Sequence, residues 1–134
     1  MTEIIPTVGR IVLYMLTQYD ADKINKRRDD ANKHMLLHQY QSHGTMVHVG
    51  NMVHKGQQYP ALVVAVWGDN PTSAVNLKVE LDGSDNYWAT SRSVGDDPGS
   101  YQWMAYQKAV AAGEIPPTLH APPDSDKQKA EVAR

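Results

Sequence analysis

Histidine is the residue type that is most concentrated in one part of this chain. Five of the six histidines lie between His34 and His54. His34 and His38 are four residues apart, on one face of a helix, where two imidazoles can share a zinc or nickel ion. The glutamate of an HExxH motif is missing, because Met35 follows His34. We therefore expect solvated histidines and no metal ion, and keep a metal-dependent enzyme using His34, His38 and a loop aspartate as a weaker hypothesis.

Acidic residues concentrate in turns, where paired carboxylates can bind Mg²⁺ or act as acid and base. These turns also contain Gly and Pro, and aspartate is common there because its side chain hydrogen-bonds the local backbone. The residues concerned are Asp69, Asp82, Asp85, Asp96 and Asp97. The sequence contains no GxSxG elbow or other nucleophile motif. We predict that the protein is not an enzyme and uses no cofactor.

Aromatic residues are better candidates for binding. Rings beside Arg92 and Lys78 could stack on a nucleobase or a cyclic nucleotide. The chain has no phenylalanine, so its tryptophans and tyrosines are also expected to plug the ends of a β-barrel, which is their more common role. The contact residues that we predict for a ligand or partner are Tyr87, Trp88, Arg92, Tyr101 and Trp103.

Strands must position these residues. Residues 60–67 form a continuous apolar run that predicts a central strand, and residues 8–16 predict another buried strand. Residues 75–81 alternate strictly. This alternation predicts a core-facing set of Val75, Leu77, Val79 and Leu81, and a water-facing set of Asn76, Lys78 and Glu80.

One helix is predicted between the strands, because Asp20 fits an N-cap and the chain from Ala21 to about Gln41 has no Gly or Pro. Short strands with one helical insertion predict a mainly β (α+β) fold, a small SH3-like partly open β-barrel, with an OB-like barrel as the alternative. We expect one domain at 1–113, with the insertion at about 20–42, and a flexible Pro-rich, charged tail at 114–134.

Composition argues against several function classes. The 134-residue chain has a net charge of −2, and between Pro60 and Ser100 six acidic residues face two basic ones, which argues against nucleic acid as a partner. Cysteine is absent, which excludes disulfides and cysteine-based zinc sites. No apolar run approaches the ~18 residues of a membrane span, and no signal-peptide pattern opens the chain. We expect a cytoplasmic protein without membrane contact.

Several segments together resemble a loosely defined group of small, mostly uncharacterised proteins of tailed bacteriophages and prophages. In order, they are PTVGRIV, YPALVVAVWG, AVNLKVELDG, YWATSRSVG and PGSYQW. The similarity covers about residues 6–103 in pieces, and residues 20–51 depart from it, so the helix and its histidines look like an insertion. The resemblance implies a phage-encoded accessory protein in the host cytoplasm, and it carries over no catalytic residues.

The leading hypothesis is therefore a non-enzymatic, phage-encoded binding protein that engages or inhibits a host defence factor or sequesters its nucleotide signal. A nucleotide sponge of this size is expected to be a homo-oligomer, because one ~100-residue barrel has little room for a large pocket. The alternative from another class is a structural or assembly protein of the virion. Binding of single-stranded nucleic acid by an OB-like face is a further hypothesis. The excess of acidic residues between Pro60 and Ser100 argues against it, because these residues would repel the phosphate backbone.

Overall fold

The computed structural model describes residues 3–37 and 49–113, with the backbone alone at 34–37. In these ranges the elements are β1 (Ile11–Met15), α1 (Gln18–Leu37), β2 (Gln58–Val66), β3 (Val75–Glu80), β4 (Asn86–Arg92), β5 (Tyr101–Gln102) and α2 (Ala105–Ala111). The strands form one antiparallel sheet in the order β4-β3-β2-β1-β5. The predicted mainly β fold with a helical insertion is confirmed.

Two compact units divide the chain. The larger unit, Ile5–Gln102, contains the sheet and α1, and the smaller unit includes Trp103 and α2. The tail predicted at 114–134 lies outside the described residues. Among the helices that the structure describes, none has the length and apolar character needed to cross a membrane.

The sheet is open and does not close into a barrel. The segment after β4 reaches β5 at one isolated bridge, between Val94 and Tyr101. There Tyr101 donates its backbone N–H to Ser93 at 3.2 Å, and its carbonyl accepts the N–H of Gly95 at 3.0 Å. Because β5 is two residues long, the bridge does not extend into a strand pair. The barrel prediction therefore holds only at the coarser level of an antiparallel, mainly β fold.

One side of the sheet, called the inner face below, carries the core and is covered by α1. Its buried residues are Val12, Tyr14, Ala61, Val63, Val75, Leu77, Val79, Tyr87, Ala89 and Tyr101. Ala21 and Ile24 of α1 are also buried, and burying a side chain such as Ile24 contributes roughly 1.5–3 kcal/mol. The predicted core positions of β3 are confirmed. Asn76 was expected to face water, but it is 8% exposed.

Helix α1 begins earlier than predicted, because Thr17 and not Asp20 is its N-cap. The N–H of Asp20 donates to Thr17 Oγ1 at 2.9 Å, and the N–H of Thr17 donates to Asp20 Oδ2 at 3.0 Å. This reciprocal pair is a capping box in which aspartate takes the place of glutamate. It leaves Asp20 inside the first turn and fully buried. The predicted end of the helix, at residues 38–42, lies outside the described residues.

Candidate functional site

The side of the sheet away from α1, called the outer face below, exposes apolar residues in a row across four strands. The direct cross-strand neighbours in this row are Ile11, Leu62, Lys78 and Trp88. Trp88 is 59% exposed, and the Lys78 Nζ lies 6.0 Å from the centre of its ring, in a cation–π arrangement. Contiguous exposed apolar surface is a feature of binding sites, so the outer face is a candidate interface.

A β-bulge in β2 turns Trp67 toward this outer face. Val63 pairs with Leu77, but the next pair joins Ala65 to Asn76, so Val64 is an extra residue without a partner. Side chains alternate along a strand, and one extra residue therefore moves every later side chain to the opposite face. Without the bulge, Trp67 would point toward the core side. With it, Trp67 is 63% exposed.

A second bulge lies in β4. Like the bulge in β2, it lies beside Asn76 of β3. Ala89 pairs with Leu77 and Arg92 pairs with Val75, which leaves Thr90 and Ser91 opposite Asn76. Ser91 has a positive φ of 55°, a left-handed conformation that is uncommon outside glycine. The extra residue turns Arg92 to the inner face, and it reaches the buried carboxylate described below.

Asn76 joins the two bulges through one oxygen atom. Its Oδ1 accepts the indole N–H of Trp67 at 3.2 Å and the backbone N–H of Ser91 at 2.9 Å. The backbone N–H of Trp67 is also held, by Ala74 O at 2.8 Å. The group formed by Trp67, Asn76 and Ser91 is called the Trp67 corner below. It presents an exposed indole that the Asn76 side chain holds by a hydrogen bond.

A buried carboxylate lies on the inner face. Asp20 Oδ2 accepts the Tyr14 hydroxyl at 2.5 Å, and Oδ1 accepts the Tyr87 hydroxyl at 2.8 Å. Burial alone would raise the pKa of Asp20, but the hydrogen bonds from Thr17, Tyr14 and Tyr87 outweigh it and hold the pKa below its usual value. Burial, followed by the hydrogen bond to Asp20, raises the pKa of Tyr87 to about 12 and also raises that of Tyr14.

Arg92 completes this cluster. Its Nη2 lies 3.5 Å from Asp20 Oδ1, and its guanidinium carbon lies 5.6 Å from the centre of the Tyr14 ring. A Cβ at Gly99 would lie 3.2 Å from Arg92 Nη1, so the 95–100 loop packs closely against the guanidinium. Both Asp20 oxygens are occupied and both phenols stay protonated at neutral pH. The cluster is suited to holding α1 on the sheet, and it offers no free base or nucleophile.

Arg28 makes a second tie between α1 and the rest of the larger unit. It is 7% exposed, its Nη2 lies 2.8 Å from Asp85 Oδ1, and its Nη1 donates to the Asn51 carbonyl. Arg27 contacts the other oxygen of Asp85 at 2.6 Å. Burial of Asp85 opposes ionisation, but Arg28 and then Arg27 lower its pKa. The buried Arg28 and the more exposed Arg27 thus share the partly buried Asp85 carboxylate.

A cavity of about 650 Å³ opens beside this tie. Its lining residues are Asn25, Lys26, Arg28, Asp29, Asn32, Val49, Gly50, Asn51 and Met52. The charged groups of the lining are already paired, Lys26 with Asp30 at 2.7 Å and Asp29 with Lys33 at 3.1 Å, in addition to the Arg28 pair. Among the lining residues that the structure describes, each cation therefore already lies next to a carboxylate.

The structure does not bring the five predicted contact residues together. Tyr87 and Tyr101 are buried on the inner face, and Arg92 faces the same side, whereas Trp88 lies exposed on the outer face. Trp103 belongs to the smaller unit and is 7% exposed. Sequence reasoning left Trp67 out of the contact set, and the bulge that exposes it contains no glycine to signal it.

The predicted histidine pair lies outside the described residues, which include neither the side chain of His34 nor any part of His38. In the part of the chain that is described, no group of three or more His, Cys, Asp or Glu side chains could hold a metal ion. Comparison of the chain with protein-family models, with curated proteins and with solved structures finds no match.

Proposed function

We propose that this protein is a non-enzymatic binding module, and that the Trp67 corner is its anchor for a partner protein. The observation that carries the proposal is the exposed indole of Trp67, fixed by the buried Asn76 side chain. Tryptophan is enriched among the residues that dominate protein interfaces, and an anchor that is already ordered loses little conformational entropy on binding. The left-handed Ser91 beside it is the kind of strain that clusters at functional sites.

A protein partner fits these features better than a nucleotide. Nucleotide sites need cations that can reach phosphate groups, and the arginines near the described cavity and inner cluster are each held by a carboxylate. Lys78 lies beside the Trp88 ring on the outer face and does not line the described cavity. Flat, partly apolar faces with exposed tryptophan are typical of protein–protein contacts.

The similarity to proteins of tailed bacteriophages suggests that the partner is a host protein in the bacterial cytoplasm, and a defence factor is the proposed target. The bridge between Val94 and Tyr101 begins the closure expected of an SH3-like, partly open barrel, which we propose as the finer description of the fold.

Capture from host cells tests the proposal. Wild-type protein, Trp67→Ala and Tyr19→Ala would be expressed with the same tag in the bacterial host, and the captured proteins quantified by mass spectrometry. Tyr19 is a matched control, because it is an aromatic residue on α1 that is 65% exposed, against 63% for Trp67. The expected partner is retained by wild type and Tyr19→Ala, is lost from Trp67→Ala, and binds directly when purified. If no captured protein depends on Trp67, the proposal is wrong.

Two further measurements separate the alternatives. Calorimetry against cyclic and ADP-ribose-type nucleotides is expected to show no binding. A nucleotide complex with a micromolar or lower Kd would instead favour sequestration of a nucleotide signal over binding of a host protein. Mass spectrometry of purified phage particles is expected to lack this chain, whereas a stoichiometric amount would favour a virion structural role.

A further inference from the structure

We propose that the outer face is a self-association surface on which a second copy of this chain packs. Two adjacent rows of cross-strand neighbours form this surface. The first row is formed by the successive cross-strand neighbours Ile11, Leu62, Lys78 and Trp88. The second row consists of two cross-strand pairs, Leu13 with Pro60 and Glu80 with Asn86, each residue of which lies two positions from the first row on its own strand. Each row contains one residue from β1, β2, β3 and β4 in the same order. This inference goes beyond the proposed function and does not rest on it.

The charges of the two rows are complementary to each other. Each row has one charged side chain, Lys78 in the first and Glu80 in the second, and both belong to β3. They are two residues apart on the same face, roughly 7 Å along the strand. Neither makes an ion pair with another described residue. A surface that carries one cation and one anion at such spacing, neither in an ion pair with a described residue, fits an inverted copy of itself.

Consider two copies whose outer faces pack together, related by a twofold axis in the plane between the two sheets. If this axis runs perpendicular to β3 and passes over Val79, it places the first row of each copy opposite the second row of the other. Lys78 of one copy then lies opposite Glu80 of the other, and the same contact forms a second time by symmetry. The operation also sets Leu62 opposite Pro60 and Ile11 opposite Leu13. Each copy covers apolar side chains of its partner, among them Leu62, which is 38% exposed.

The second copy is favoured over an unrelated partner because this face supplies both halves of the required charge pattern. An unrelated protein would have to present an acid opposite Lys78, a base opposite Glu80 and an apolar strip beside them. Trp67 lies on the same outer face but belongs to neither row, because it follows the end of β2. Substitutions of Trp67 and charge reversals in the rows therefore change different side chains, and self-association and host-protein binding are measured for each variant separately.

Charge reversal tests the proposal by analytical ultracentrifugation and native mass spectrometry. Wild type is expected to form dimers at micromolar concentration. Lys78→Glu places two anions on the β3 surface and Glu80→Lys places two cations there, so each variant alone is expected to dimerise at least about tenfold more weakly. Lys55→Glu, a reversal in an exposed turn away from these rows, is expected to leave the dimer unchanged. Circular dichroism checks that all variants fold.

Mixing gives the sharper result. An equimolar mixture of Lys78→Glu and Glu80→Lys is expected to form a heterodimer, since both intermolecular contacts are then attractive, and a mass tag on one variant identifies it. The double variant, with both reversals, is expected to regain self-association. A wild type that remains monomeric up to about 100 μM, a dimer that both reversals leave unchanged, or a mixture without heterodimer would each overturn the proposal.

Discussion

The side-chain oxygen of Asn76 lies 3.2 Å from the indole nitrogen of Trp67, and this contact joins a buried side chain of β3 to an exposed indole that follows β2. The same oxygen accepts the N–H of Ser91 at 2.9 Å. One amide therefore stabilises a bulge in β2 and a bulge in β4. One bulge turns Trp67 outward, and the other turns Arg92 inward to Asp20.

Replacing Asn76 should loosen the Trp67 corner. Asn76→Ala removes the acceptor for two N–H groups, so we expect a loss of about 1–3 kcal/mol in the free energy of unfolding and a faster-rotating Trp67 indole. Asn76→Asp keeps an acceptor oxygen and should retain most of this stability at neutral pH. Urea unfolding measures the first effect, and tryptophan fluorescence anisotropy in a Trp88→Tyr, Trp103→Tyr background measures the second. Equal anisotropy for Asn76→Ala and its parent would show that Asn76 does not fix the indole.

Asp20 should make stability depend on acid pH. Its pKa is lowered on folding, so it contributes stability that is fully present above the ordinary aspartate pKa of about 3.9 and is lost as the pH falls toward the lowered value. Asp20→Asn should cost about 3 kcal/mol at pH 7, with a smaller loss at pH 3. Urea unfolding of both proteins between pH 7 and pH 3 measures the difference. A gap that stays constant across this range would contradict the assignment, and Asp85, present in both proteins, cancels in the comparison.

The buried Tyr14 hydroxyl should contribute far more to the free energy of unfolding than the exposed hydroxyl of Tyr59. Tyr14→Phe leaves Asp20 Oδ2 with the Thr17 N–H alone and is expected to cost about 1.5–3 kcal/mol. Tyr59→Phe is the matched control, because its hydroxyl donates to Gln57 on the surface and should cost at most about 0.5 kcal/mol. Thermal and urea unfolding of both variants provide the comparison. Similar losses for the two would mean that the buried carboxylate contributes little to stability.

A methyl group at Gly50 should disrupt the contacts of Arg28 with Asp85 and the Asn51 carbonyl. A Cβ there would lie 2.7 Å from Arg28 Cζ and 2.7 Å from the Asp82 carbonyl oxygen, so Gly50→Ala is expected to cost about 1–3 kcal/mol through overpacking. At Gly9 no atom lies within 4 Å of the corresponding position, and only its positive φ of 98° opposes the change. Gly9→Ala should therefore cost about 1 kcal/mol of backbone strain without displacing Arg28. A Gly50→Ala variant as stable as wild type would show that the packing of Arg28 does not require a glycine at position 50.

The regular part of this fold follows from local patterns. The alternation along 75–81 predicted the core residues of β3, because it shows which side chains face the core. The segment after Asp20 predicted α1, because it contains no Gly or Pro to break a helix. Trp67 was harder to predict because its orientation depends on an extra residue, Val64, within an unbroken apolar run. The N-cap prediction for Asp20 is wrong because nothing in the local sequence distinguishes an N-cap from a capping-box carboxylate, and its partner Tyr87 is 67 residues away.

The most direct test of the binding role is a calorimetric titration of the purified partner with wild type, Trp67→Ala and Tyr19→Ala. An anchor of this kind predicts a Kd for Trp67→Ala that is weaker by about thirtyfold or more, corresponding to at least about 2 kcal/mol, and an unchanged Kd for Tyr19→Ala. Equal affinities for wild type and Trp67→Ala, or a loss confined to Tyr19→Ala, would contradict the assignment of the Trp67 corner as the binding site.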